Sequence, residues 1–289
     1  MTYRQWSNRR LGHQDVGCPE KGDFMSTDVI ASGRHPIQQI RILGIPVHMV
    51  QIPDVVALMT DWITHERDRA HWVVVADMHA IIEAHKRPEF RAKIETADLT
   101  VPDGISLIKV ARRKGVPLKT RVTGTDLMKA FFAHHQHTGV KHFFFGDTNE
   151  TLARLREQLE QTYSGINIAD CYSPPFRPLT VEEDAAIIQR INDAQPDVLW
   201  VGLGLPKQEQ WIYEHRAQLK VPLVLGVGAA FKFLAGTVTR APGWVGELGL
   251  EWLWRFAHEP RRLWRRIMIE GPQFVGHVAL ELSGLRKYS

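Results

Sequence analysis

Two kinds of apolar pattern alternate along the chain from about residue 40 to about residue 230. Short unbroken runs such as "HWVVVAD", "DLTVPD", "KHFFFGD", "INIADCY", "DVLWVGLG" and "VPLVLGVGAAF" predict buried strands. Between them, apolar positions recur three and four apart, the spacing of one helix face. "IPDVVALMTDWITHERD", "GISLIKVARRKG", "GTDLMKAFFAHHQHTG", "TNETLARLREQLEQTY", "TVEEDAAIIQRINDAQP" and "PKQEQWIYEHRAQL" all read this way. Thr125 or Asp126 would cap the third of these, and Thr180 with Glu183 forms a capping box on the fifth. "HAIIEAHKRPEFRAKIETA" is helical with a break expected before Pro88. "IRILGIPVHMV" reads as two short strands about a turn at Gly44-Ile45-Pro46.

Strand and helix in alternation predict an α/β fold: a Rossmann-like parallel sheet with helices on both faces. Ligands bind such sheets at the carboxyl ends of the strands. Asp77, Asp103, Gly146-Asp147, Gly202-Leu203-Gly204 and Gly226-Val227-Gly228 all fall at predicted strand ends. Residues 1–36 are polar and mixed in charge, without the apolar middle of a secretory signal, and read as a disordered leader. Residues 37–240 form the α/β core. Residues 241–289 form a helical appendage rich in Trp and Arg, broken by Pro242, Pro260 and Pro272.

Composition narrows the picture further. Hydrophobic residues make up 44% of the 289, enough for a sizeable core, yet no apolar run reaches the length of a membrane span. Two cysteines, Cys18 and Cys171, argue against a disulfide framework and suit a reducing cytoplasm. No Cys/His spacing matches a zinc site, and His134, His135 and His137 read as a solvated helix end. The net charge of +4 is modest but unevenly placed. Five arginines face one glutamate between Arg255 and Arg266, interleaved with Trp252, Trp254 and Trp264. Arg255, Arg262 and Arg265 share one helix face if Pro260 leaves that helix intact. Arginine beside tryptophan suits an anionic membrane surface or a diphosphate. The same surface suits a second copy of the chain, a homo-oligomer. No nucleic-acid-binding motif accompanies it.

The glycine-rich stretches "VGLGLPKQ" and "GVGAAF" begin like dinucleotide fingerprints but place Lys207 and Phe231 where a third glycine belongs, so no nicotinamide cofactor is expected. Gly204 and Gly228 still allow backbone to approach a ligand closely. In "GLPKQEQW", Pro206 opens a helix whose free amides can meet an anion, with Lys207 or Gln208 adding a side-chain contact; a plain capped helix fits equally well. Arg121 precedes another helix and could grip a phosphate or carboxylate, or be a surface arginine. Asp103, between Pro102 and Gly104, reads first as a helix cap and second as a catalytic base.

Taken together, "ADLTVPDGISLIKVARRKG", "RVTGTDLM", "FFFGD", "PDVLWVGLGLPKQEQWI" and "GVGAAFKFLAGTVTRAPGWVGELGLEWLWRFAHEPRRLWRR" resemble the WecG/TagA/CpsF family of bacterial glycosyltransferases, glycosyltransferase family 26. The resemblance implies an inverting, metal-independent hexosyltransferase without cofactors. It would move a hexosyl or N-acetylhexosaminyl unit (N-acetylmannosamine-type or glucose) from a UDP-sugar to a polyprenyl-diphosphate-linked saccharide, in surface or exopolysaccharide synthesis. The enzyme would work in the cytoplasm, peripheral on the inner face of the membrane. By the same resemblance Asp103 matches the base, Arg121 a site arginine, and Gln208 a polar residue near the nucleotide. Arg255, Arg262 and Arg265 match appendage arginines that contact the diphosphate. The chain departs from many members in carrying Val75-Ala76-Asp77 in place of Thr-x-Asn. That leaves two questions: whether Asp77 competes with Asp103 for the proton, and whether the chain is instead a non-catalytic scaffold that binds sugar nucleotide or lipid.

Overall fold

The computed structural model describes residues 37–238, 253, 254, 256 and 260–288; the leader, Arg255, Trp252 and Pro242 lie outside the described residues, as does the side chain of Arg262. Two strands, β1 (Gln39–Ile42) and β2 (Ile45–His48), form an antiparallel hairpin. Six more, β3 (His71–Ala76), β4 (Leu99–Pro102), β5 (Lys141–Gly146), β6 (Asn167–Tyr172), β7 (Val198–Gly202) and β8 (Leu223–Gly226), make one wholly parallel sheet. Its order is β4-β3-β8-β7-β5-β6. One helical layer holds α2 (Met78–Lys86), α3 (Pro88–Ile94), α4 (Ile105–Arg113), α7 (Val181–Ala194) and α8 (Lys207–His215); the other holds α1 (Ile52–His65), α5 (Gly124–His135), α6 (Asn149–Thr162) and α9 (Ala230–Leu234).

Both faces of the sheet are therefore covered, and a strand in that position can be apolar at every residue. In β5, Phe143 and Phe145 enter the first layer's core and Phe144 the second. In β7, Leu199 and Val201 turn one way and Val198 and Trp200 the other. This double burial is why the strands read as unbroken runs.

Several expected details shift. The hairpin turns on Leu43 and Gly44, with φ of 50° and 82°, not on Gly44-Ile45-Pro46. Two left-handed residues match the twist of a tight hairpin, which lets Ile45 pair with Ile42. The cap of α5 is Thr123, whose hydroxyl accepts from the Asp126 amide at 3.1 Å, in place of Thr125 or Asp126. The helix starts earlier than its apolar spacing suggested because Gly124 and Thr125 are themselves buried. The β8 strand stops at Gly226, so "GVGAAF" is a turn and the start of α9. His135 is buried, not solvated, bridging Thr60 at 2.9 Å and Thr138 at 3.0 Å, because α5 packs this side against α1. Burial holds its imidazole down at about 4. The break before Pro88 and the Thr180–Glu183 capping box are both present.

The described part of the C-terminal region is one helical rod with a defect. It runs through α10 (Pro260–Arg265), a π-turn (Arg266–Glu270) and α11 (Gly271–Leu282). Pro272 lacks an N–H for the carbonyl four residues back, and its ring would crowd it, so the turn before it widens instead of breaking. The Gly271 amide accordingly donates to the Arg266 carbonyl, five residues back. The rod is fastened to the core. Phe274 and Val278 join the first layer's cluster, and the Glu281 carboxylate accepts from the Leu43 amide at 3.3 Å and pairs with Lys114 at 3.1 Å. Burying those two side chains contributes on the order of 2 kcal/mol each.

Candidate active site

The carboxyl rim of the sheet is stitched one residue beyond the strands. The Asp103 amide donates to the Ala76 carbonyl at 2.8 Å, Val122 to Pro102 at 2.8 Å, Val227 to Val201 at 2.9 Å and Asp147 to Gly202 at 3.2 Å. These bonds set the residues that leave β4, β3, β8, β7 and β5 side by side. Arg121, next to Val122, is thereby brought to the strand end that carries Asp103. A methyl on Gly104 would lie 3.6 Å from the Asp77 Cβ, so the backbone beside Asp103 runs close to Asp77. Among the residues read from sequence, Asp77, Asp103, Arg121, Gly204, Lys207 and Gly228 fall on this rim. Arg265 sits exposed at the end of α10.

The two aspartates have different employment. Residue Gly104, with ψ 139°, is the N-cap of α4 and offers no side chain; Asp103 stands one residue outside the helix, partly exposed. The cap role expected of Asp103 falls to Gly104; Asp77 caps a different helix, α2, by accepting from the Ala80 amide at 3.1 Å. Its second oxygen accepts from the Arg266 guanidinium. Burial alone would raise the Asp77 carboxyl, but the Arg266 charge and the Ala80 amide outweigh it and hold the group below the ordinary aspartate value. A carboxylate so stabilised is a poor base.

Arg266 was not among the arginines singled out by spacing. The π-turn aims it and Glu270 at the first turn of α2, where the Glu270 carboxylate meets His79 Nδ1 at 2.5 Å. Two side-chain contacts thus join residues 77–79 to residues 266–270. His79, Glu83 and Glu270 are, among the described residues, a group whose ligand atoms lie close enough to hold a metal ion. Two ligands of one tetrahedral zinc stand about 3.3 Å apart at bonds of about 2 Å. The His79–Glu270 contact is tighter than that, and Arg87 lies 3.3 Å from Glu83.

Gln208 is buried beneath the rim, not on it. Its amide oxygen accepts from the Gly204 amide at 3.1 Å and the Gly228 amide at 3.0 Å. Its amide nitrogen donates to Glu209 Oε1 at 2.7 Å. A methyl on Gly226 would lie 2.6 Å from that nitrogen, so the glycine makes room for the side chain. Gly204 and Gly228 both take left-handed φ, 77° and 54°. Glu209 is fully buried; burial pushes its carboxyl up to about 7, against the Gln208 hydrogen bond, which lowers it. Lys207, the first residue of α8, is exposed and Pro206 is the N-cap. No helix among the described residues is long and apolar enough to cross a membrane. Trp264, Met268, Ile269 and Val275 are exposed along the C-terminal rod.

A family model described as glycosyl transferase WecG/TagA/CpsF family matches residues 40–288. The chain is similar to the N-acetylglucosaminyldiphosphoundecaprenol N-acetyl-beta-D-mannosaminyltransferase of Bacillus spizizenii, 29% identical over 236 residues that cover 80% of this chain and 88% of that protein. It is equally similar to a protein of the same name from Staphylococcus aureus strain MW2, 29% identical over 229 residues covering 78% of this chain and 87% of that one.

Proposed function

The chain belongs to the WecG/TagA/CpsF glycosyltransferase family, and from that premise we propose that it transfers an N-acetylmannosamine-type or related hexosyl unit from a UDP-sugar to a polyprenyl-diphosphate-linked saccharide. The relatives' names support an acceptor carrying N-acetylglucosamine on undecaprenyl diphosphate. The reaction is inverting. The acceptor hydroxyl loses its proton to Asp103 as its oxygen attacks the anomeric carbon, and the bond to the UDP oxygen breaks on the opposite face. Arg121 and the appendage arginines Arg255, Arg262 and Arg265 supply positive charge for the departing diphosphate and the lipid diphosphate. Gly204 and Gly228 give the donor close access to backbone. Lys207, exposed on the rim, adds a further cation.

The observation that supports the base assignment is the state of Asp77: it caps α2 and is held ionised by Arg266, which makes it a poor base, while Asp103 stands at the rim position that the family resemblance gives the base. The exposed tryptophan and aliphatic residues of the C-terminal rod, beside exposed Arg261 and Arg265, support a peripheral seat on the cytoplasmic face of an anionic membrane.

The test is transfer of radiolabelled sugar from a panel of UDP-sugars to polyprenyl-diphosphate-linked N-acetylglucosamine. Asp103→Asn should cut kcat by about 10²-fold or more with the fold intact, whereas Asp77→Asn should keep most turnover. The reverse ranking would move the base to Asp77. UDP binding with no transfer to any acceptor would favour the scaffold reading.

A further inference from the structure

Glu209 lies behind the rim with no place in the chemistry above. It is fully buried, and its Oε2 has no hydrogen-bond partner. A buried carboxyl with an idle oxygen costs stability, so its presence calls for a use. That use is visible in its other oxygen. Oε1 accepts from Gln208 Nε2 at 2.7 Å. A side-chain amide can rotate by half a turn and exchange its oxygen and nitrogen with little change of shape. Only one of the two orientations presents oxygen to the Gly204 and Gly228 amides; the other sets two N–H donors against two more.

We propose that Glu209 is a positioning residue: by accepting from the Gln208 amide it locks that amide in the orientation that ties the β7 and β8 rim loops together, and so holds the UDP-binding rim of the donor site in shape. Oε1 accepts whether or not a proton sits on Oε2, so the lock works in both protonation states. The two loops are held by one oxygen, Gln208 Oε1, at 3.1 Å and 3.0 Å. Release of that oxygen frees two left-handed glycines at once. The role in donor binding rests on the glycosyltransferase reading; the lock itself does not.

The discriminating variants are Glu209→Met and Glu209→Gln. Methionine fills similar volume and removes the acceptor, leaving the Gln208 amide N–H without its partner, so the melting temperature is read alongside to separate local loosening from global destabilisation. Glutamine retains an acceptor oxygen. Hydrogen exchange of the full chain without ligand should show faster exchange in peptides covering 203–206 and 226–230 for Glu209→Met, and near wild-type protection for Glu209→Gln. UDP affinity by calorimetry should fall about tenfold in Glu209→Met, one hydrogen bond's worth, and recover in Glu209→Gln. Unchanged exchange in Glu209→Met overturns the lock whatever UDP does. Equal losses in both variants would also overturn it, since charge rather than acceptance would then matter. If the loops loosen in Glu209→Met while UDP binds as tightly as to wild type, the donor-site role fails. A wild-type chain that binds no UDP refutes the donor reading instead, and the exchange data still decide the lock.

Discussion

Arg266→Met is the sharpest probe of how the C-terminal rod is held. Methionine keeps the apolar stem and the helical propensity of arginine and removes only the charged fork. The Asp77 carboxylate then keeps the Ala80 amide but loses its cation. The two side chains are 28% and 26% exposed, so the pair is neither a surface bridge worth a few tenths of a kcal/mol nor a dry one. A charge-assisted bond discounted for that exposure gives a coupling of about 1–2 kcal/mol. In a chain of this size that corresponds to a fall in Tm of roughly 2–8 °C. Asp77→Asn should cost less by itself, because asparagine remains a good cap. In the Asp77→Asn background, Arg266→Met should cost under about 1 kcal/mol. The assay is a double-mutant cycle by urea unfolding. The folded-state carboxyl lies below its ordinary value of 3.8, so the stabilisation is present above that value and is lost as pH falls through the folded one. The coupling should therefore be constant from about pH 8 to about pH 5. A coupling near zero, or equal costs of Arg266→Met in both backgrounds, would refute the pairing as the tether.

Three further outcomes test the fold that carries the site. Gly146 has φ 123°, and a methyl there would lie 2.6 Å from the Gly202 carbonyl carbon, so Gly146→Ala should cost more than about 3 kcal/mol, read as a loss of soluble folded protein or a large fall in Tm. Thr123→Ala removes the α5 cap and should cost about 1 kcal/mol in urea unfolding, with Thr123→Ser close to wild type. His48 and His135 are held at about 4 and His142 at about 3, chiefly by burial, so their stabilisation is present above the ordinary value of 6.5 and is lost as pH falls. Glu209 opposes them, its contribution being fully present below the ordinary 4.5 and lost as pH rises through about 7. Net, the unfolding free energy should fall by roughly 2 kcal/mol per pH unit between about pH 6 and pH 5; a flat or rising profile would contradict the burial of these histidines.

The strands and their layers were legible because a strand buried on both faces leaves an unbroken apolar run. The order β4-β3-β8-β7-β5-β6 was not, since nothing local records which runs lie side by side. The rim was legible through its strand-end aspartates and glycines, but their roles were not. Pro102-Asp103-Gly104 has the composition of a cap, and the helix begins one residue later than that composition suggests, which transfers capping to the glycine. Gln208 carried the signal of a ligand contact; the missed clue was Gly226, whose lack of a side chain admits the Gln208 amide beneath the loops. Arg266 was hidden because its partner is 189 residues away in the chain.

The π-turn has a consequence for inheritance. It lets one segment grip residues 77 and 79 at once, through Arg266 and Glu270. The appendage is therefore not a cassette that can be exchanged freely between relatives. A chimera joining this core to the C-terminal segment of a family member without an arginine at the matching place would strand the Asp77 charge. Exchange of residue 77 and the tail together would not. Asp77 and the arginine that answers it form one structural unit, written at two distant places in the chain.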